Sequence, residues 1–332
     1  MEGASLQPRI SVVITTFNQE KYIEAALNSV LVQTYPPFEI IVVDDGSTDE
    51  TSKRIAPYGK EIRYIRQTNQ GVAASRNTGV RTASGELVAF LDGDDIWEPD
   101  KLAVQARIHE ENPGSGIIVT DGISFDEAGV RAPSLFRHVE SAFGGTWSAV
   151  TVQCYGELIR RNLISTVSQI VVPATVLRHV GSSDTSFRVC SDYDLYLRIA
   201  ARYSITFVRK PLMRWRYVAS SASGPADLRY LTWSADSIRV LRKQLGEGPY
   251  QHHSEIRKLI SRTVFAAAEG AYDYGRAGNR SWAAQYLLRL LRHNPTFPSV
   301  VFFFVGLSVP HPLARILGRR ARQMLKALYG AF

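Results

Sequence analysis

An α/β fold built on a mostly parallel sheet flanked by helices is what this 332-residue sequence predicts, on three observations. The run Ile10-Ser11-Val12-Val13-Ile14 reads as a buried strand, and after it Tyr22, Ile23, Ala26, Leu27, Val30 and Leu31 recur at helical spacing across residues 20–33. A second apolar run, Phe38 to Val43, completes a strand-helix-strand unit of the kind that builds parallel sheets. Finally, each apolar strand runs into a polar loop: Thr15-Thr16-Phe17-Asn18, Asp44-Asp45-Gly46-Ser47 and, after Leu87 to Leu91, Asp92-Gly93-Asp94-Asp95. Open α/β sheets bind ligands at the carboxyl ends of their strands, so the three loops are expected to converge on one crevice.

Each loop carries groups with a defined chemistry. Asp92, Asp94 and Asp95 crowd three carboxylates at one strand exit. Their repulsion is unfavourable unless a cation offsets it, and hard oxygen ligands at this spacing suit Mg2+ or Mn2+ with a phosphate completing the shell. The alternative is a solvated turn that caps a helix. Asp95 is expected to cap the helix that begins around Pro99 and so to stay off the metal. Phe17 offers a flat apolar face and Asp45 an acceptor for a ring N–H, a pair that fits uracil. Gly46 permits a tight turn beside a ligand, while Ser47, Thr48 and Asp49 suit a helix start. Arg76 and Asn77 are expected to open a helix that faces the crevice, with Arg76 either on a diphosphate or in an exposed ion pair with Asp44 or Asp49.

Four segments match in order and spacing: Val12-Val13-Ile14-Thr15-Thr16-Phe17-Asn18, Val43-Asp44-Asp45-Gly46-Ser47-Thr48-Asp49, Ala74-Ser75-Arg76-Asn77-Thr78-Gly79 and Asp92-Gly93-Asp94. Together they resemble the inverting, sugar-nucleotide-dependent glycosyltransferases of family 2 type, which build bacterial surface polysaccharides. The resemblance implies an α/β GT-A nucleotide-diphospho-sugar transferase fold and a nucleotide-sugar donor, a UDP-sugar on the reading of Phe17 and Asp45. It implies that Thr15, Phe17, Asp45, Arg76, Asp92 and Asp94 bind that donor. Asp92 would take the ribose and the metal, and Asp94 the metal directly, with Mn2+ or Mg2+ as the cofactor. Further on, Val189-Cys190-Ser191-Asp192-Tyr193-Asp194-Leu195-Tyr196-Leu197-Arg198-Ile199-Ala200 is similar to the segment that bears the family's catalytic base, which assigns that role to Asp192. A helix is expected from Asp194 onward, with Arg198 one turn away as its ion-pair partner. Two positions depart from the pattern: Ser191 stands where relatives usually carry Glu, and Val218 where many carry the His of an Arg-x-His segment that here keeps Arg216.

The chemistry of a single displacement at an anomeric carbon asks for one carboxylate to deprotonate the incoming hydroxyl and for positive charge beside the departing diphosphate. Asp192 and Asp94 are therefore expected on opposite sides of the scissile bond, and inversion is the expected outcome. Two other classes compete. A nucleotide-sugar-binding protein without catalysis would keep the crevice; Ser191 and Val218 favour it, and intact Asp92, Asp94 and Asp192 oppose it. A sugar-nucleotide nucleotidyltransferase would share the fold class, but its basic, Gly-rich phosphate loop is missing from Thr15 to Glu20.

With 45% hydrophobic and 21% charged residues, the chain has the composition of a folded protein, long enough for one α/β core and an appended segment. The expected layout is a catalytic domain over residues 1–225, a helical extension over 226–298 and a membrane-surface segment over 299–332. Within the first, residues 8–115 would form the donor half and 116–225 the acceptor half, where Phe143, Trp147 and Tyr155 would either stack on a sugar or pack in the core. Residues 266–272 and 282–288 read as an antiparallel helix pair similar to one tetratricopeptide repeat. The apolar run Val300 to Val309 is shorter than the roughly 20 residues that span a bilayer. The basic amphipathic stretch after it, with Arg315, Arg319, Arg320, Arg322 and Lys326, accounts for much of the net charge of +8 and is expected to contact an anionic membrane surface, the alternative being a core-packed C-terminal helix pair or an oligomer contact. No nucleic-acid motif accompanies that charge. Cys154 and Cys190 give neither a disulfide framework nor a metal spacing, and Met1 to Gln7 is too short and polar for a signal peptide. The expected place is the cytoplasmic face of the cell membrane, where a saccharide or lipid-linked acceptor is met.

Overall fold

The computed structural model describes residues 7–218 and 226–276. The chain divides into two compact units, residues 1–219 and 220–332.

The first unit opens with β1 (Ile10–Thr16), buried along its whole length as a central strand of a parallel sheet must be. Helices and strands then alternate: α1 (Ile23–Leu31), β2 (Glu39–Asp44), α2 (Thr51–Ile55), β3 (Arg63–Arg66), α3 (Val72–Thr82) and β4 (Leu87–Asp92). These strands lie in the order β3-β2-β1-β4 and all run parallel, so their carboxyl ends share one edge. Ile23, Ala26, Leu27 and Val30 turn one face of α1 onto the sheet. Leu31, expected on the same face, is 39% exposed because the helix ends there.

The chain continues through β5 (Ile96–Trp97), α4 (Lys101–Glu111), β6 (Ser115–Asp126), β7 (Gly129–Ala132), α5 (Arg137–Phe143), β8 (Ala149–Val152), α6 (Tyr155–Arg160), β9 (Ile170–Pro173), α7 (Ala174–Val180), α8 (Ser191–Ala200) and β10 (Ser204–Arg216). Beyond β4 the sheet runs β9-β6-β10-β5, with β7 beside β6 and β8 beside β10. β6 and β10 are parallel to each other, whereas β9 is antiparallel to both β4 and β6. The expected α/β sheet flanked by helices is present, with its parallel pairing concentrated in the first half and a mixed second half. Its principal core joins Ile10, Val12 and Ile14 of β1 to Leu27 and Val30 of α1, Leu102 of α4 and the indole of Trp97. The three aromatic residues considered for sugar stacking are engaged in packing. Phe143 lies 5.7 Å from Phe207, Trp147 lies 6.4 Å from Phe136 under the guanidinium of Arg209, and Tyr155 is buried.

In the second unit, α9 (Ala226–Glu247) and α10 (His253–Arg276) pack on one another. Ile256, Ile260, Val264 and Ala267 form a buried stripe along α10 at helical spacing. α10 takes in residues 266–272, while the helix expected over 282–288 and the basic segment over 299–332 lie outside the described residues. Among the described residues no helix is long and apolar enough to cross a membrane.

Candidate active site

The register of β1 brings the three polar loops together. Thr16 stands opposite Asp44 and Thr15 opposite Asp92. The ladder runs one residue further on each side, with the Asp45 N–H on the Thr16 carbonyl and the Gly93 N–H on the Thr15 carbonyl, both at 2.9 Å. Asn18, in the left-handed region at φ 52°, accepts the Thr48 N–H on its Oδ1 at 2.8 Å and donates its own N–H to Ser47 Oγ at 2.9 Å. Its neighbour Phe17 is left 44% exposed.

Asp44 and Asp45 have different duties. Asp44 is fully buried and accepts from the Ser47 N–H at 2.8 Å and the Tyr64 hydroxyl at 2.7 Å. Asp45 holds the approach to α3: its carboxylate accepts from Gln67 Nε2 at 2.7 Å, the Gln70 N–H at 3.0 Å and the Gly71 N–H at 2.7 Å. Gly46 sits at φ +79°, where a Cβ would stand 3.0 Å from the Gln67 carbonyl, so the turn between them takes only glycine comfortably.

Arg76 lies one turn into α3 instead of opening it, and it is nearly buried. It pairs with neither Asp44 nor Asp49. Its Nη2 donates to both oxygens of Asp92, at 2.8 and 3.2 Å, while Thr15 Oγ1 donates to the same carboxylate at 3.2 Å. Although burial works against its charge, Asp92 and Asp192 together raise the Arg76 pKa. Asp192 is thereby in electrostatic reach of a residue 116 positions earlier, on the other half of the sheet. The helix that carries it starts at Ser191, three residues before the expected Asp194, and Asp192 sits in its first turn with the Tyr193 N–H on Oδ1 at 2.7 Å. Burial pushes the Asp192 carboxyl up, and Arg76 pulls it back. Arg198 Nε binds Asp194 Oδ2 at 2.8 Å, the i,i+4 pair that the spacing predicts. Arg76 Nε and the Tyr196 hydroxyl, one turn along the helix from Asp192, are buried with no hydrogen-bond partner among the described residues.

On the other side of Asp92 the charge is negative. Burial and the Asp92 carboxylate raise Asp94 to about 6, against a smaller opposing pull from Arg216 and the Gln19 side chain. Asp95 does not cap α4, whose cap position is held by Asp100 without a side-chain bond. It is fully buried, accepts Ser168 Oγ at 2.6 Å and the Arg216 N–H at 2.9 Å, and is pushed well above the carboxylate range by burial, Asp94 and Asp92. Ser168 also receives the Asp92 N–H at 3.0 Å, so this one hydroxyl braces both ends of the acidic turn. Arg216 is half-buried at the site: its Nε donates to the Asp94 carbonyl at 2.9 Å, and its guanidinium stacks between Tyr22 and Phe125, 4.7 and 4.5 Å from their ring centres.

Burial and the neighbouring Asp92 charge both disfavour the Asp94 carboxylate, and a hard dication would offset both, so the carboxylates of Asp92 and Asp94 fit such an ion. Among the described residues no three His, Cys, Asp or Glu side chains converge on a metal position. A cation here would take its remaining ligands from phosphate and water, as Mg2+ commonly does. Ser168, the seat of Arg216 and the proximity of Tyr196 to Asp192 were not anticipated. Only the Thr166 to Gln169 capping box, a local signal, marks where Ser168 sits.

Residues 11–167 match the family model described as glycosyl transferase family 2. A protein of Rickettsia felis described as an uncharacterised glycosyltransferase is 31% identical over 210 residues, which make up 63% of this chain and 33% of that protein. A Nostoc protein of the same description is 36% identical over 152 residues, 42% of this chain and 47% of the relative. The chain thus spans from a third to about half of the length of these relatives. The solved structure of S. aureus TarS 1-349 in complex with UDP-GlcNAc superposes with a TM-score of 0.57 at 18% identity, covering 90% of each chain, a likeness of fold. Residues 11–167 of this chain are a glycosyl transferase family 2 domain.

Proposed function

We propose that the first unit is a metal-dependent, inverting glycosyltransferase that moves a sugar from a UDP-sugar to a hydroxyl of a glycan or lipid-linked acceptor in surface polysaccharide synthesis. The observation that carries this reading is the buried Arg76, bonded to Asp92 and in electrostatic reach of Asp192. A donor-side carboxylate and a candidate base would thus share the influence of one cation. TarS, similar in fold, is described in complex with UDP and with UDP-GlcNAc, which supports a uridine nucleotide as the donor.

In this mechanism Asp192 takes the proton of the acceptor hydroxyl while its oxygen bonds to the anomeric carbon. The bond from that carbon to the β-phosphate oxygen breaks, and UDP leaves from the opposite face. Burial raises Asp192 and so strengthens it as a base near neutral pH. Phe17 would stack on the base and Asp45 accept from it; Thr15 and Asp92 would hold the ribose, and Arg76 and Arg216 would supply fixed positive charge for the diphosphate. When bound at Asp92 and Asp94, Mn2+ or Mg2+ would neutralise charge on the leaving group. The basic segment over 299–332 would hold the protein at the inner face of the membrane, where a lipid-linked acceptor is presented.

Calorimetric titration of UDP with and without Mn2+ tests the donor site. Binding that depends on Mn2+ and is lost in Asp94→Ala is expected; no UDP binding in either condition overturns the uridine reading. With donor and acceptor found, Asp192→Asn should keep UDP affinity and lose roughly 10²- to 10⁴-fold in turnover, the range for removing a general base.

A further inference from the structure

The base-bearing helix has no direct hydrogen bond to α3, the helix that carries Arg76, among the bonds described, yet the two must be in register for Asp192 to face Asp92. The connection runs through four backbone residues, 180–183. From α3, Asn77 Nδ2 donates to the Ser183 carbonyl at 2.8 Å, and the Ser183 N–H donates back to Asn77 Oδ1 at 2.9 Å. One amide thus takes both polar groups of one backbone residue 106 positions away. From α8, Arg198 Nη1 donates to the carbonyls of Val180 and Gly181, and its Nη2 to that of Ser182 at 2.9 Å. Arg198 is itself held by the fully buried Asp194. Gly181, at φ +81°, gives the backbone the left-handed turn this requires.

We propose that residues 180–183 are a latch gripped from both helices, and that Asn77 is the positioning residue that sets Asp192 against the donor. This rests on the assignment of Asp192 as the base. Asn77 follows Arg76 in sequence, and Arg76 is fixed on Asp92; Arg198 and Asp192 share α8. The separation of base and donor carboxylate is therefore set at one end by Arg76 and at the other by the latch. Asn77, with its Nδ2 and Oδ1 engaged by Ser183, acts through the chain and not on substrate.

The test uses the full chain with Asn77→Leu, which removes both bonds at similar size, and Asn77→Asp, which keeps acceptance from the Ser183 N–H and loses donation to its carbonyl. Transfer kcat is expected to fall roughly 10²-fold in Asn77→Leu, the scale of a 1 Å misplacement, with donor KM within about twofold. Transfer to the acceptor should fall more than hydrolysis of the donor by water, and Asn77→Asp should lie between wild type and Asn77→Leu. Amides of residues 181–190 should exchange faster with solvent in Asn77→Leu while those of β1 and β4 keep their rates. A general loss of structure would instead lower transfer and hydrolysis in proportion and raise exchange throughout. Unchanged exchange over 181–190, or a kcat within about twofold of wild type, overturns the latch. If the wild-type protein turns over no nucleotide-sugar, the assignment of Asp192 fails, and the exchange measurement still decides whether the latch exists.

Discussion

Asp94 binds its proton more tightly in the folded chain than in the unfolded one, at about 6 against an ordinary 3.8. By linkage, its contribution to stability falls as pH rises from about 4 to about 6 and stays low above that, a penalty of about 3 kcal/mol at neutral pH. Asp94→Asn removes the charge and keeps the shape. It is expected to raise the melting temperature of the ligand-free protein at pH 8 and to have much less effect at pH 4, in calorimetric scans. A variant less stable than wild type at pH 8 would sink this account of the site as electrostatically loaded. Asp92, Asp94 and Asp192 could be singled out in the sequence as candidates because each belongs to a short motif at an element's end, where local spacing carries the signal. Ser168 and the partners of Arg216 could not, since Ser168 reaches Asp95 over 73 residues and Arg216 reaches the Asp94 carbonyl over 122, and no periodicity encodes such pairings. Asp95 was misplaced for the same reason: an Asp before a helix reads as a cap until its tertiary partners are known.

At the scale of elements, α3 matters most, because it carries Arg76 and Asn77 and lies close on the sheet. A Cβ on Gly79 would stand 2.1 Å from Val13 Cγ1, so this glycine sets the approach of helix to strand. Gly79→Ala is expected to destabilise the protein by about 1–3 kcal/mol in denaturant unfolding, as overpacking does. Combining it with Val13→Ala should cost less than the sum of the two, since the second change makes room for the first; strict additivity would refute the contact. The elements with long, regular patterns, β1, α1, β2 and β4, were readable from apolar spacing alone. β9 was not, because four buried apolar residues look the same in either strand direction, and its antiparallel entry is decided by partners far along the chain.

Across the whole molecule the charge is uneven. Five basic residues and no acidic one fall in residues 299–332, out of a net +8. If that segment meets a membrane surface, the full chain should sediment with vesicles rich in anionic lipid, release as salt is raised, and ignore neutral vesicles. Equal binding to both kinds of vesicle, or none, would leave the basic segment without this role. A different consequence follows from β9, the strand that joins the two halves of the sheet. β4 precedes β9 in the chain by the whole stretch 93–169, and among the described residues β9 is its only partner on that side. A nascent chain emerging from the ribosome therefore carries Leu87–Asp92 as an open, apolar strand edge until residue 173 has been made. During that interval the half-built sheet is at its most prone to pair with a neighbouring chain, and a translational stall in this stretch would leave a product that aggregates instead of refolding.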